Sequence, residues 1–127
     1  MINRKNKFKK KERIKKREEF KKVLQEGVFL KSKFYNFCFK KNDLGFNRIG
    51  IVIKKVYGNS ILRNYEKRIV REFFRNNKGV LKKNFDIIIF IKKEASFLEK
   101  RDLFNKKKED FLYNLRRIEN FYYENIK

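Results

Sequence analysis

The sequence has no proline, no tryptophan and no histidine, and it has a single cysteine, Cys38. A lone cysteine excludes an internal disulfide and fits a reducing compartment. Without histidine, Cys–His and Ser–His nucleophilic centres are excluded, and so are the usual zinc donor sets. Long apolar runs are missing too. None approaches the roughly 20 residues that span a bilayer, and no signal-peptide core follows the basic N-terminus. A cytoplasmic location is expected. The scarcest charge is negative: 15 Asp and Glu stand against 37 Lys and Arg, a formal net charge of +22.

What is present is one domain's worth of chain, 127 residues with 41% apolar content and 15 phenylalanines. That is enough for a modest core without disulfide or metal staples, so the charge does not imply a disordered protein. A globular chain so basic repels itself, and a polyanionic partner relieves the repulsion. Nucleic acid is the first candidate, because Lys and Arg release condensed counterions as they neutralise phosphates. An anionic membrane surface is the second. Richness in Lys, Asn, Ile and Phe also reads as drift toward AT-rich codons. Drift explains Lys in place of Arg, but not the shortage of carboxylates or the clustering of cations.

Residues 1–16 form a basic arm, crowded with Lys5, Lys7, Lys9, Lys10, Lys11, Arg13, Lys15 and Lys16. It is expected to be mobile, as a solvated tail or as a segment ordered by RNA, with Ile14 able to tuck onto the core. Residues 17–127 are expected to be a single RNA-binding domain. A first helix over 17–25 has Glu18 and Glu19 in its first turn, where carboxylates favour the helix dipole. Phe20, Val23 and Leu24 share one of its faces. After a very short strand near 28–30, residues 33–41 and 48–55 alternate as strands. Each has an apolar face (Tyr35, Phe37 and Phe39; Ile49, Ile51 and Ile53) and a more polar one. The loop 41–47 between them reads as a hairpin connection. Ile87–Ile91 is a continuous apolar run, the mark of a strand covered on both faces. A last helix within 99–123 carries Phe111, Leu115, Ile118 and Tyr122 on one stripe. The order helix, three strands, helix, strand, helix is α+β with one mixed sheet. A helix between Lys55 and Asp86 allows a parallel crossover.

The informative segment is Lys54–Arg75. Gly58, Asn59 and Ser60 make a turn and a cap, and the helix they open runs to about Asn76. In helical projection Leu62, Tyr65, Ile69 and Phe73 form an apolar stripe facing the core. Arg63, Asn64, Lys67, Arg68, Arg71 and Arg75 occupy an opposite arc roughly 140° wide. Arg63, Lys67 and Arg71 rise about 6 Å per step, close to the phosphate spacing of a nucleic acid strand. Backbone N–H groups at the helix start offer a further phosphate site. A merely solvated face would intersperse carboxylates among the cations, whereas Glu66 and Glu72 lie on or beside the apolar stripe.

This segment resembles the signature of the bacterial ribonuclease P protein family, a strand ending in lysines, a glycine turn and then Arg-Asn-x-x-Lys-Arg-x-x-Arg-Glu. Here it reads Lys55, Gly58, Asn59, Arg63, Asn64, Lys67, Arg68, Arg71 and Glu72. Arg13-Ile14-Lys15-Lys16 followed by Glu18, Glu19 and Phe20, then Arg48-Ile49-Gly50, then Asp86 with its apolar run and Lys92, Lys93, Ala95 and Ser96, extend the likeness over residues 13–96. There are departures. Tyr65 stands where the family usually has Arg, Glu66 where an apolar residue is customary, Val56 where a second strand-end Lys is common, and Lys92 where Arg is usual.

The resemblance implies a fold like domain 2 of ribosomal protein S5, with a left-handed βαβ crossover. It also implies the protein subunit of a ribonucleoprotein whose RNA carries the chemistry, removing the 5′ leader of precursor tRNA. No catalytic residue and no cofactor are expected in the protein, and magnesium is expected for the RNA-catalysed step. By the same likeness Lys55, Asn59, Arg63, Asn64 and Arg68, with Arg75 on the same arc, fall to the catalytic RNA subunit. Phe20, Leu24, Cys38, Lys54, Lys67 and Arg71 fall to a cleft for the single-stranded leader. Core packing is an equal reading for Phe20 and Leu24, and a small strand residue the favoured one for Cys38. Neither a membrane nor a small-molecule substrate is expected. The composition alone would equally suit a ribosomal or other structural RNA-binding protein.

Overall fold

The computed structural model describes residues 8–93 and 100–124. Helix α1 spans Arg17–Glu26, with Glu18 and Glu19 in its first turn and the Glu19 carboxylate accepting the Lys16 N–H at 3.3 Å. It ends at Gly27, whose N–H donates to the Val23 carbonyl at 2.7 Å. A Cβ at Gly27 would sit 2.4 Å from that oxygen and 2.9 Å from Cys38 Sγ. Only glycine lets the chain turn straight from the helix into β1, Val28–Lys31.

The remaining elements are β2 (Tyr35–Lys41), β3 (Arg48–Val52), α2 (Ser60–Asn76), β4 (Phe85–Ile91) and α3 (Lys100–Glu124). The sheet order is β1-β2-β4-β3. β4 runs antiparallel to β2, with Ile87 opposite Phe39, and parallel to β3, with Ile87 opposite Ile49. The crossover through α2 is thus between adjacent parallel strands. One sequence expectation fails here. The loop 41–47 closes no hairpin, because β4 inserts between β2 and β3; the hairpin is β1–β2 instead. The loop is held open by Asn42. Its amide donates to Asp86 Oδ1 at 2.8 Å and to the Phe46 carbonyl at 3.2 Å, and its oxygen accepts the Leu44 N–H at 3.0 Å. Tied to β4, the loop delivers β3 to the far side of that strand.

The alternation of the strands divides the core by face. Phe37, Phe39, Ile87, Ile89 and Ile49 point to the side covered by α2 and α3, where Ile69, Val70, Phe73 and Phe74 meet Phe111, Leu115 and Ile118. Phe111 stands edge-on to Tyr35, ring centroids 6.0 Å apart. Each such fully buried side chain contributes about 1.5–3 kcal/mol. The α3 stripe is as the periodicity predicts at its first three positions; the Tyr122 side chain lies outside the described residues. On the opposite face α1 sets Val23 over Cys38 and Ile88, joined by Ile14.

The arm expected over residues 1–16 is docked across its second half, while residues 1–7 lie outside the described segment. The Ile14 N–H donates to the Ile49 carbonyl at 2.9 Å, and Arg13 bridges to β3 in parallel. Phe8 meets Phe74 edge-on at 5.9 Å, and the buried Glu12 binds Lys78 Nζ at 2.8 Å. The segment covers the outer edge of β3, an edge that would otherwise expose unpaired backbone groups.

A second correction concerns α2. Tyr65 and Leu62, expected in the apolar stripe, are 52% and 37% exposed, whereas Glu66, expected on or beside it, is buried. The reason lies on α3: Lys107, itself 3% exposed, reaches both Glu66 carboxylate oxygens at 2.8 and 2.9 Å. The pair lets a charged position face inward and rotates Tyr65 outward. Breaking it from one side strands a buried charge. Lys107→Met is therefore expected to lower the unfolding free energy by about 3–5 kcal/mol, seen as a lower urea midpoint, and Glu66→Leu added to it to restore most of the loss.

Candidate RNA-binding surfaces

The turn before α2 is stabilised from both sides. Asn59 caps the helix, its Oδ1 accepting the Leu62 N–H at 2.9 Å. Arg63 Nε donates back to the Gly58 carbonyl at 3.2 Å, and Tyr57 is buried beneath the turn. Asn59 and Arg63 thus shape the turn whatever else they touch. Lys54 and Lys55 stand exposed where β3 leads into it.

The single basic arc expected on α2 is divided in two. With Glu66, Ile69, Val70, Phe73 and Phe74 buried, the row Arg63, Lys67, Arg71 and Arg75 lies half-buried along one flank, and Asn64 and Arg68 are exposed on the outer face. Arg75 meets Glu72 at 3.3 Å, an exposed pair of little strength. Among the described residues no carboxylate pairs with Arg63, Lys67, Arg68 or Arg71. Burial, and then the neighbouring Arg13 guanidinium, lower the Arg71 pKa from its ordinary value. Like charges held together without a counterion leave a place for an anion.

One concavity adjoins the α2 cations, and a second lies on the sheet beside Lys54. The first, about 160 Å³, follows the β3 edge and is lined by Phe8, Arg13, Phe20, Gly50, Lys67 and Arg71 among others. Phe20 lies on Gly50 so closely that a Cβ there would come within 2.4 Å of its ring. Its position depends on Arg48, which donates to both Asp86 oxygens at 2.9 and 2.7 Å and to Glu19 on α1. The hydrogen bond from Arg48 holds the Glu19 carboxyl below its usual pKa. The second concavity, about 480 Å³, is the half of the sheet face that α1 leaves open. Phe29, Val52, Phe90 and Asn36 form its floor, and Lys54, Val56, Lys92 and Lys93 stand at its rim. Lys92 is steadied by the Ser32 carbonyl at 2.8 Å.

The six residues expected to line a leader cleft are therefore not gathered in one place. Phe20, Lys67 and Arg71 meet at the β3 edge, and Lys54 rims the open sheet face. Leu24 is exposed on α1 and lines neither concavity. Cys38 is wholly buried under α1, its thiol donating to the Val23 carbonyl at 3.3 Å, so its place is that of a small packed strand residue. Sequence reasoning missed Phe29, Val52 and Phe90. It took their face of the sheet for a polar one and β4 for a strand covered throughout, whereas Phe90 is half-exposed. The one available signal was Phe29, an aromatic in a strand too short to bury both faces.

Comparison with known proteins gives a consistent result. Residues 8–116 match the family model described as Ribonuclease P. The ribonuclease P protein component of Thermotoga maritima is 40% identical over 112 residues, covering 88% of this chain and 96% of the relative. The solved Thermotoga maritima RNase P protein superposes with a TM-score of 0.74 at 36% identity, over 84% of this chain and 96% of that one. The Staphylococcus aureus RNase P protein does so with a TM-score of 0.72 at 26% identity, over 81% and 94%.

The burial of Cys38 is open to direct measurement. Desolvation pushes its thiol up to about 11, and the thiolate is the reacting form. At pH 8 the native protein is expected to leave a thiol-exchange reagent almost unconsumed, and the urea-unfolded chain to consume one equivalent quickly. Fast reaction of the native form would place the thiol at the surface.

Proposed function

The chain belongs to the ribonuclease P protein family, and on that footing we propose that it is the protein subunit of a tRNA-processing ribonucleoprotein, with a division of labour between the two flanks of α2. The outer face, Asn64 and Arg68, with Arg63, Arg75 and the turn carrying Lys55 and Asn59, binds the catalytic RNA. The inner flank, Lys67 and Arg71, together with Phe20 and the open sheet face beside Lys54, holds the 5′ leader of precursor tRNA. The observation that carries this reading is the separation itself. On α2 the exposed Arg68 and the half-buried Lys67 and Arg71 have no carboxylate partner among the described residues, and only Lys67 and Arg71 adjoin a concavity, the one walled by Phe8 and Phe20.

The chemistry of the two surfaces suits the two tasks. A folded RNA presents phosphates, which exposed guanidinium and ammonium groups neutralise with release of counterions. A leader is single-stranded and differs from one tRNA to the next. Apolar and aromatic floors such as Phe29 and Phe90 accept any base, while flanking cations follow the backbone. In this reading the protein supplies no nucleophile. It lowers the repulsion between two polyanions and so reduces the magnesium that the RNA-catalysed cleavage requires.

Reconstitution is the direct test. Added to a bacterial ribonuclease P RNA, the protein is expected to bring leader cleavage down to low millimolar magnesium, where the RNA alone is slow; no stimulation would overturn the reading. Variants then separate the surfaces. Arg68→Ala is expected to weaken binding of the RNA subunit and reduce the salt slope by about one unit. Lys67→Ala is expected to weaken precursor tRNA while leaving mature tRNA nearly unchanged. Equal losses for the two tRNAs would remove Lys67 from the leader site.

A further inference from the structure

Four aromatic side chains among the described residues are conspicuously exposed: Phe29, Tyr65, Phe104 and Tyr113. Three of them have an evident place. Phe29 floors the open sheet face. Phe104 leans on Phe73, with ring centroids 5.2 Å apart. Tyr113 lies beneath the Arg117 guanidinium at 5.6 Å. Tyr65 differs: it is 52% exposed, and no hydrogen bond, ion pair or ring contact engages it among the described residues. It sits at the border of α2's solvent face, beside buried Ile69, and the same border exposes Ile61 (79%) and Leu62 (37%) one turn before it. Arg68 follows three residues later and Asn64 is its neighbour, so the ring shares the exposed face with a cation and an amide. Side chains on a helix lean toward its N-terminus, which carries the Tyr65 ring over Ile61 and Leu62. The result is an apolar ledge with a cation and an amide beside it on the first half of the helix.

We propose that this ledge is a base-stacking platform, on which Tyr65 stacks with an unpaired base of the RNA subunit while Arg68 holds an adjacent phosphate. The inference rests on the functional reading above and deepens it by naming the RNA feature involved. A base-paired helix presents phosphates, 2′-hydroxyls and groove edges but no free base face, so an exposed tyrosine with two aliphatic neighbours would have nothing to stack on there. A nucleotide turned out of its stack offers an apolar face for the ring and a phosphate for the neighbouring cation. A hydrophobic protein partner would have to cover the ledge while leaving Arg68 and Arg63 without counter-charges.

The test measures binding of the full chain to the RNA subunit across a series of salt concentrations, for wild type, Tyr65→Phe and Tyr65→Ala. Alanine is a strong helix former and this site is exposed, so both variants are expected to fold, with unchanged circular dichroism. Tyr65→Ala is expected to bind roughly five- to a hundredfold more weakly with the salt slope unaltered, because stacking releases no counterions, and Tyr65→Phe to stay within about twofold of wild type. Wild-type affinity in Tyr65→Ala overturns the proposal. So does a loss of self-association in that variant with RNA binding intact, which would give the ledge to a second copy of the chain. If wild type itself ignores the RNA, the functional reading fails and the platform with it; if wild type binds and only the alanine prediction fails, the functional reading stands.

Discussion

The placement of β4 governs this molecule. Its run Ile87–Ile91 is apolar at every position and buried at all but Phe90, so the strand needs cover over most of both faces and hydrogen-bonding partners on both edges. Only the interior of a sheet provides all four. β2 takes one edge and β3 the other, and because β3 and β4 run parallel the chain must leave β3, cross one face and return to β4. The crossing element is α2. Its apolar side is drawn onto Ile87, Ile89 and Ile49, and its cations are left on the two flanks that cannot reach the core. Both proposed RNA surfaces thus follow from where one apolar strand can be satisfied.

The few carboxylates explain how a chain of net charge +22 keeps its cations available. Glu66 is enclosed with Lys107, and Glu12 with Lys78. Asp86 and Glu19 share Arg48. Asp110 accepts the Ser32 hydroxyl and the Phe34 N–H, and Glu119 the Lys82 N–H. These acids join one element to another: α2 to α3, the N-terminal segment to the end of α2, α1 to the sheet, α3 to its loops. Having turned inward, they leave the outer flanks of α2 largely without internal counterions, which is the electrostatic state a polyanion would meet.

Much of this was legible in the linear pattern. The α2 boundaries, its Asn59 cap, the alternation of β2 and the first three positions of the α3 stripe are short-range properties, set by residues within a few positions of one another, and the structure reproduces them, while β3, expected over 48–55, ends at Val52. Long-range pairings were harder to see. The hairpin expected at 41–47 failed because nothing local reveals that a strand forty residues later will enter between the two. The inward place expected for Tyr65 failed for the same reason, since the Lys107 that holds Glu66 inward lies on another helix. Leu24 and Cys38 belonged to the right helix and strand, yet neither lines either of the two concavities described, because alternation does not say how much of a face the covering helix will reach.

The sequence by itself determined the elements, the excess of cations and their segregation on one helix, because helical and strand periodicity and charge are local quantities. Its ordered motif, Lys55 through Glu72, also pointed to the family. Only the tertiary structure decided that the basic arc is two surfaces, that half of a sheet face stays open as an apolar floor, and that Tyr65 faces solvent. Those features depend on which distant side chains meet, and a residue's burial is settled by its neighbours in space.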